Sequence, residues 1–213
     1  MSGGPKVSTC LWFDRDGEDA AKLYTSLIPG SAITHVSRYG EGSAMPAGTA
    51  MMVVFNLAGT PYMALNGGPM FTKSEACSIV VTCDTQQEID HLWSSLTANG
   101  GHESRCFWLK DRYGLSWQIV PSALGEMMQD EDPARSGRVM EAMLKMSKID
   151  IATLQRERDG LAQRARHAPR LATAEERVAE LTREVATDRA TSKRTCDALE
   201  ALPLALARDE EQD

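Results

Sequence analysis

Two stretches of this chain, 69 positions apart, carry the same strand-then-helix pattern, and that repeat narrows the possible folds more than any single motif. The segment KVSTCLWFD (Lys6 to Asp14) reads as a strand, and Asp16 stands where a helix N-cap belongs. Ala20, Leu23, Tyr24 and Leu27 then recur at helical spacing until Pro29-Gly30 stops the run. The second copy begins with CSIVVTCD (Cys77 to Asp84). Thr85 and Glu88 have capping-box spacing, and Ile89, Leu92, Trp93 and Leu96 form the apolar stripe before Asn99-Gly100-Gly101. Ile89 follows Ala20, Leu96 follows Leu27, and Thr85 follows Asp16 by the same 69 positions. The residues themselves differ, so what repeats is the hydrophobic pattern, as an internal duplication leaves it.

More strand material follows each copy. SAITHVSRYG, TAMMVVFNLAG and TPYMALNGG come after the first helix, punctuated by Gly40, Gly42, Pro46, Gly59 and Gly67-Gly68. GHESR, CFWLKD and LSWQIVP come after the second. The chain therefore predicts an α+β fold of two βαβββ modules, over 6–70 and 71–121. Helices docked on that domain are expected over 122–160, and a charged, Ala-rich helical or partly disordered tail over 161–213. The longer first-copy loop, EGSAMPAG, is a surface excursion, a lid or a partner contact.

In LSWQIVP, Leu115, Trp117 and Ile119 fall on one face and Ser116, Gln118 and Val120 on the other. A glutamine in the middle of such a strand needs partners, since an unsatisfied buried polar group costs about 1–3 kcal/mol. Another side chain, a water or a ligand must meet it.

Bulk properties exclude several functions. A net charge of −7, from 23 basic and 30 acidic residues, argues against a general nucleic-acid surface. No apolar run approaches the ~18–20 residues of a membrane span, and MSGGPKVSTC lacks the pattern of a secretory signal. The five cysteines (Cys10, Cys77, Cys83, Cys106 and Cys196) include no CxxC pair and read as reduced, mostly buried thiols of a cytoplasmic protein.

Paired βαβββ modules, together with TCLWFD, MALNGGP, the run from Cys77 to Leu96, WLKDRYGLSWQIVP and AMLKMSKIDIATL, resemble the PhnB-like branch of the vicinal oxygen chelate superfamily. That superfamily includes glyoxalase I, extradiol dioxygenases and bleomycin-resistance proteins, and the resemblance covers roughly residues 6–160. It implies that each module curls into half a cup around a ligand. It also implies that the first and fourth strands of each module project one side chain apiece into the chemical centre, as His or Glu in metal-dependent relatives.

Here those positions fall on Ser78, on Thr9 (69 positions earlier, on the face of Leu11 and of Phe13, a further candidate for the cup floor), on Gln118 and on Asn66, with Ala64 sharing the parity of Asn66. All four are neutral. A divalent zinc, nickel or iron ion wants imidazole, thiolate or carboxylate, and calcium or magnesium sites normally include carboxylates. No metal and no cofactor is therefore expected, and Gln118 should bond Thr9, Ser78 or a bound molecule; a purely structural polar cluster is the alternative. His35, His91, His102 and His167 show no paired ligand spacing. Trp108 and Lys110 share a strand face, an aromatic wall beside a cation that suits an anionic or planar ligand, unless the lysine head simply sits in water.

The branch is also labelled as demethylubiquinone methyltransferases, but the chain has no Gly-rich turn of a doubly wound cofactor fold, no GxSxG elbow and no P-loop. In the tail, Leu171, Ala174, Val178, Leu181 and Val185 follow a coiled-coil register that Asp188, Ser192 and Thr195 break. Three functions stay open: a metal-independent small-molecule binder, homodimeric because related cups form across subunits; a lyase, isomerase or dioxygenase with an unrecognised ligand set; or a scaffold acting through its tail. No catalytic residue is assigned.

Overall fold

A computed structural model describes residues 6–43, 45–160, 176–183, 186, 189 and 193. The first compact unit ends at Asp159 and the second runs from Gly160 to Asp213. In the second, residues 176–183 are helical with Val178 and Leu181 exposed. Leu171, Ala174 and Val185 of the expected register lie outside the described residues.

The first unit is two four-stranded mixed sheets of identical order. β1 (Thr9–Phe13), α1 (Gly17–Leu27), β2 (Ala32–Arg38), β3 (Ala50–Leu57) and β4 (Thr60–Asn66) form the sheet β1-β4-β3-β2. β5 (Ser78–Cys83), α2 (Gln86–Thr97), β6 (His102–Glu103), β7 (Trp108–Lys110) and β8 (Ser116–Pro121) form β5-β8-β7-β6. In each, the first strand pairs parallel to the fourth and the remaining pairs are antiparallel. The duplicated βαβββ pattern is thus the architecture.

The two helices start differently. α2 has the expected capping box: Thr85 Oγ1 accepts from Glu88 N at 3.2 Å, and Glu88 Oε2 accepts from Thr85 N at 3.1 Å. Asp16 precedes α1 but makes no capping bond with its side chain. The first helical amide, Gly17 N, instead donates to Asn66 Oδ1 at 2.8 Å, so a β4 side chain serves as the cap. A Cβ at position 17 would lie 2.7 Å from that oxygen, which is why glycine stands there.

One core runs through both modules, with Tyr24, Phe55, Ile89, Trp93 and Trp117 among its buried members. It occupies the helix-bearing face of each sheet. After β8, α3 (Ala123–Met128), α4 (Pro133–Leu144) and α5 (Ile151–Arg158) enclose a second cluster around Leu124, Val139, Met143, Ile149 and Leu154. Phe107 and Val120 pack against that cluster, which places these helices at one end of the second sheet. Gln86 ties them to α2, donating to Ile149 O at 3.0 Å and accepting from Ile151 N at 2.9 Å.

Candidate functional site

Strand parity divides the expected site residues between two faces. On β5 and β8, Ile79, Cys83, Trp117 and Ile119 are buried under α2, and Ser78, Val80, Thr82, Ser116 and Gln118 face the other way. Gln118 Nε2 donates to Ser78 Oγ at 2.8 Å, which answers what the strand's amide meets. In register, Trp108 lies opposite Gln118 and Lys110 opposite Ser116, so Ser78, Gln118, Trp108 and Lys110 share this face.

Thr9, Phe13 and Asn66 do not join them. On β1 and β4 the register pairs Thr9 with Tyr62, Leu11 with Ala64 and Phe13 with Asn66, and this is the face under α1. Phe13 is core, and Asn66, 1% exposed, has both amide atoms occupied: Oδ1 by Gly17 N and Nδ2 as donor to Ala50 O at 2.9 Å. The expectation that Thr9 and Asn66 meet Ser78 and Gln118 is therefore corrected. For Thr9 the cause is a connector one residue longer in the first module: Asp14, Arg15 and Asp16 separate β1 from α1, while only Asp84 and Thr85 separate β5 from α2. The helices repeat at 69 positions but the strand faces repeat at 70, and one position reverses a strand's faces.

The uncovered face of the first sheet carries Cys10, Trp12, Met63 and Leu65 instead. Trp12 Nε1 donates to Gly68 O at 2.8 Å, and its ring meets Phe71 edge-on at 4.8 Å. A Cβ on Gly67 would come within 2.2 Å of that indole, so the glycine pair of MALNGGP makes room for a tryptophan as well as for a turn.

Against the uncovered face of the second sheet lies a cavity of about 380 Å³, lined by Trp108, Lys110, Ser116, His102, Arg105 and Glu75 among others. Ser78 and Gln118 do not line it, but lie on the same face as register partners of Ser116 and Trp108. Ser116 was not singled out from the sequence. It is 1% exposed, and its Oγ is a buried side-chain oxygen with no hydrogen-bond partner among the described residues, which is rare enough to call for an explanation. Its placement beside Ser78 and Lys110 follows from the same strand alternation that placed Gln118, so parity alone would have found it. Glu75, on the linker between the modules, pairs with Lys110 Nζ at 2.5 Å. The ammonium holds the Glu75 carboxyl below its ordinary range.

A larger cavity of about 410 Å³ runs along the free edge of β5, between Leu27, Ile28, Leu57, Tyr62 and His91. Its thiol, Cys83, is pushed up to about 11, first by burial and then by the charges of Glu88 and Asp84, which leaves it poorly suited as a nucleophile.

The donor set does not fit a catalytic metal. Ser78 and Gln118 supply a hydroxyl and an amide already bonded to each other, and Ser116 adds one neutral hydroxyl. No group of three or more His, Cys, Asp or Glu side chains could hold an ion among the described residues.

The sequence profile of the family described as 3-demethylubiquinone-9 3-methyltransferase matches residues 5–120. The chain belongs to that family. These PhnB-like domains fall within the vicinal oxygen chelate superfamily. The PhnB protein from Bacillus cereus is 33% identical, with a TM-score of 0.52, over 55% of this chain and 100% of its own. A protein from Pseudomonas aeruginosa is 19% identical (TM-score 0.45), over 55% of this chain and 98% of its own. The fosfomycin resistance protein FosX from Listeria monocytogenes is 16% identical (TM-score 0.44), over 61% of this chain and 98% of its own. No curated protein matches the chain.

Proposed function

We propose that this PhnB-like protein binds a small molecule, without a metal, against the uncovered face of its second sheet, and so sequesters or senses it. The observation that carries this reading is the buried hydroxyl of Ser116, unpartnered among the described residues, at a cavity that the Trp108 indole and the Lys110 ammonium also line, with the Ser78–Gln118 pair on the same sheet face. An orphaned buried hydroxyl costs about 1–3 kcal/mol in a protein that has nothing to bind there.

The functional form is a homodimer. Met70, Phe71 and Val80 are large apolar side chains left exposed, Val80 at 56% on the proposed binding face itself, and a second copy would cover such a surface. No helix among the described residues is long and apolar enough to cross a membrane. Cys10 and Cys77 are exposed, not buried as expected from their strand-like runs, and such free thiols suit a reducing compartment, the cytoplasm.

The test is titration of purified protein with the neutral dye N-phenyl-1-naphthylamine, with and without chelator, alongside sedimentation. Saturable binding that survives chelation, on a dimer, is the expected result. Binding that vanishes with chelator and returns with zinc, nickel or manganese would overturn the metal-free reading.

A further inference from the structure

The face proposed to bind a ligand also carries a charge arrangement that defines what the ligand is. Lys110 and Ser116 are register partners on adjacent antiparallel strands, so their side chains rise side by side from the sheet, with Cβ atoms about 5 Å apart. The lysine side chain is only 20% exposed, and among the described residues its ammonium meets a single acidic partner, Glu75, whose own side chain is 68% exposed. That partner belongs to the linker after β4 and not to the sheet. The enclosed cation is thus fixed, and the anion that neutralises it is carried on an exposed loop. Beside them the Ser116 hydroxyl has no acceptor.

The remaining charges at the cavity point the same way. Glu103 is engaged: its Oε1 accepts from Trp93 Nε1 at 2.8 Å. Arg105 has no carboxylate partner among the described residues, and His102 adds a third nitrogen base at the rim. Remove the Glu75 carboxylate, and Lys110, Arg105 and an unused hydroxyl face one acid that is already bonded. The Trp108 indole, half-buried on the same strand as Lys110, enters no ring pair among the described residues and offers a flat apolar wall.

We infer that the ligand is a planar, aromatic-sized molecule bearing an oxyanion, a carboxylate or a phosphonate, that displaces Glu75 from Lys110 and takes the Ser116 hydroxyl as a second donor. This rests on the proposed binding face. Glu75 then acts as an internal stand-in for the ligand's acid: it satisfies the half-buried ammonium in the free protein and competes with every anion that enters. A hydroxyl and an ammonium converging on one oxyanion make charge-assisted bonds, roughly twice as strong as neutral ones.

The experiment uses the full chain with benzoate, phenylphosphonate, the neutral isostere benzamide and the cation benzamidine, followed by amide shifts of Lys110, Ser116 and Gln118. The expected order in the wild type is either anion above benzamide above benzamidine. In E75Q both anions bind about tenfold tighter while benzamide is unchanged, since only the competing charge is gone. K110M abolishes the preference of anion over benzamide, and S116A weakens the anions alone. Comparing benzoate with phenylphosphonate separates carboxylate from phosphonate ligands. Anion affinity in E75Q no better than in the wild type, or no better than that of benzamide, overturns the inference; a merely structural Lys110–Glu75 pair would lower the melting temperature of E75Q and leave anion affinity alone. The naphthylamine dye is titrated into the same samples. Dye bound without anion selectivity removes only this inference; no saturable binding of either removes the binding face with it.

Discussion

Tyr24, on the helix of the first module, donates its hydroxyl to Asp111 Oδ2 of the second at 2.7 Å, across 87 positions of sequence. Asp111 is 2% exposed, and its two oxygens accept from four donors. Oδ2 takes the Tyr24 hydroxyl and Trp117 Nε1 (2.9 Å), and Oδ1 takes the amides of Tyr113 (2.8 Å) and Leu115 (3.0 Å). One carboxylate thus closes the turn before β8 and joins the modules through their shared core. Burial, and then the Asp111 charge, push the Tyr24 phenol well above its ordinary range.

Replacing that carboxylate by an amide tests how much the joint matters. In D111N the new NH2 faces two donors. The tyrosyl hydroxyl can turn to accept, but the indole N–H of Trp117 cannot. A stranded buried donor predicts a loss of about 2–3 kcal/mol in urea unfolding, against about 1 kcal/mol for Y24F. The double variant should lose less than the sum, since both changes act on one network. Strict additivity would show that the two residues do not stabilise each other.

Asn66 tests the corrected face assignment. N66A removes the cap of α1, worth about 1 kcal/mol, and strands the Ala50 carbonyl, worth about 1–3 kcal/mol. The melting temperature should fall, while naphthylamine-dye affinity in the folded protein stays within about twofold, because the amide lies beneath the helix and not on the uncovered face. A tenfold loss of dye affinity with unchanged melting would return Asn66 to the binding site.

The fold was legible in the sequence because its signals are periodic. Leu92 and Trp93, or Trp117 and Ile119, recur at the spacing of a helix or a strand, and Thr85 with Glu88 marks a helix start chemically. The second half of the site was legible for the same reason, since parity alone puts Ser78 and Gln118 on one face. What failed is a relation between copies. The offset read from helix stripes does not survive a one-residue change in the β1–α1 connector, and no local pattern signals it. Two further features are tertiary. Asn66 caps a helix that begins 49 positions earlier, and Glu75 meets Lys110 through a linker with no regular structure.

Gly67 shows a constraint of that tertiary kind. A methyl group at this position would overlap the Trp12 ring, whose indole is held by Gly68 O. G67A should cost about 1–3 kcal/mol from overpacking and shift the Trp12 indole N–H resonance as the bond to Gly68 lengthens. An unchanged resonance with wild-type stability would mean that the indole packs elsewhere.

Cys83 makes the alkaline side of the stability curve predictable. Its thiol is pushed up to about 11, chiefly by burial, so the fold favours the protonated form. An unfolded cysteine titrates near ~8.5. The folded value lies above the unfolded one, so this contribution is complete below about pH 8.5 and is lost as the pH rises toward 11. Thermal melts of wild type and C83A from pH 7 to 10.5 should therefore show a gap that is constant at first and narrows above pH 9, because the cavity left by alanine does not titrate. At pH 8 the exposed Cys10 and Cys77 should react with a disulfide reagent well before Cys83, whose thiolate fraction is lower than that of an ordinary thiol by roughly two orders of magnitude. Equal labelling rates, or a gap unchanged up to pH 10.5, would mean that the thiol is neither buried nor shifted, and the β5 edge would then present a usable nucleophile to its cavity.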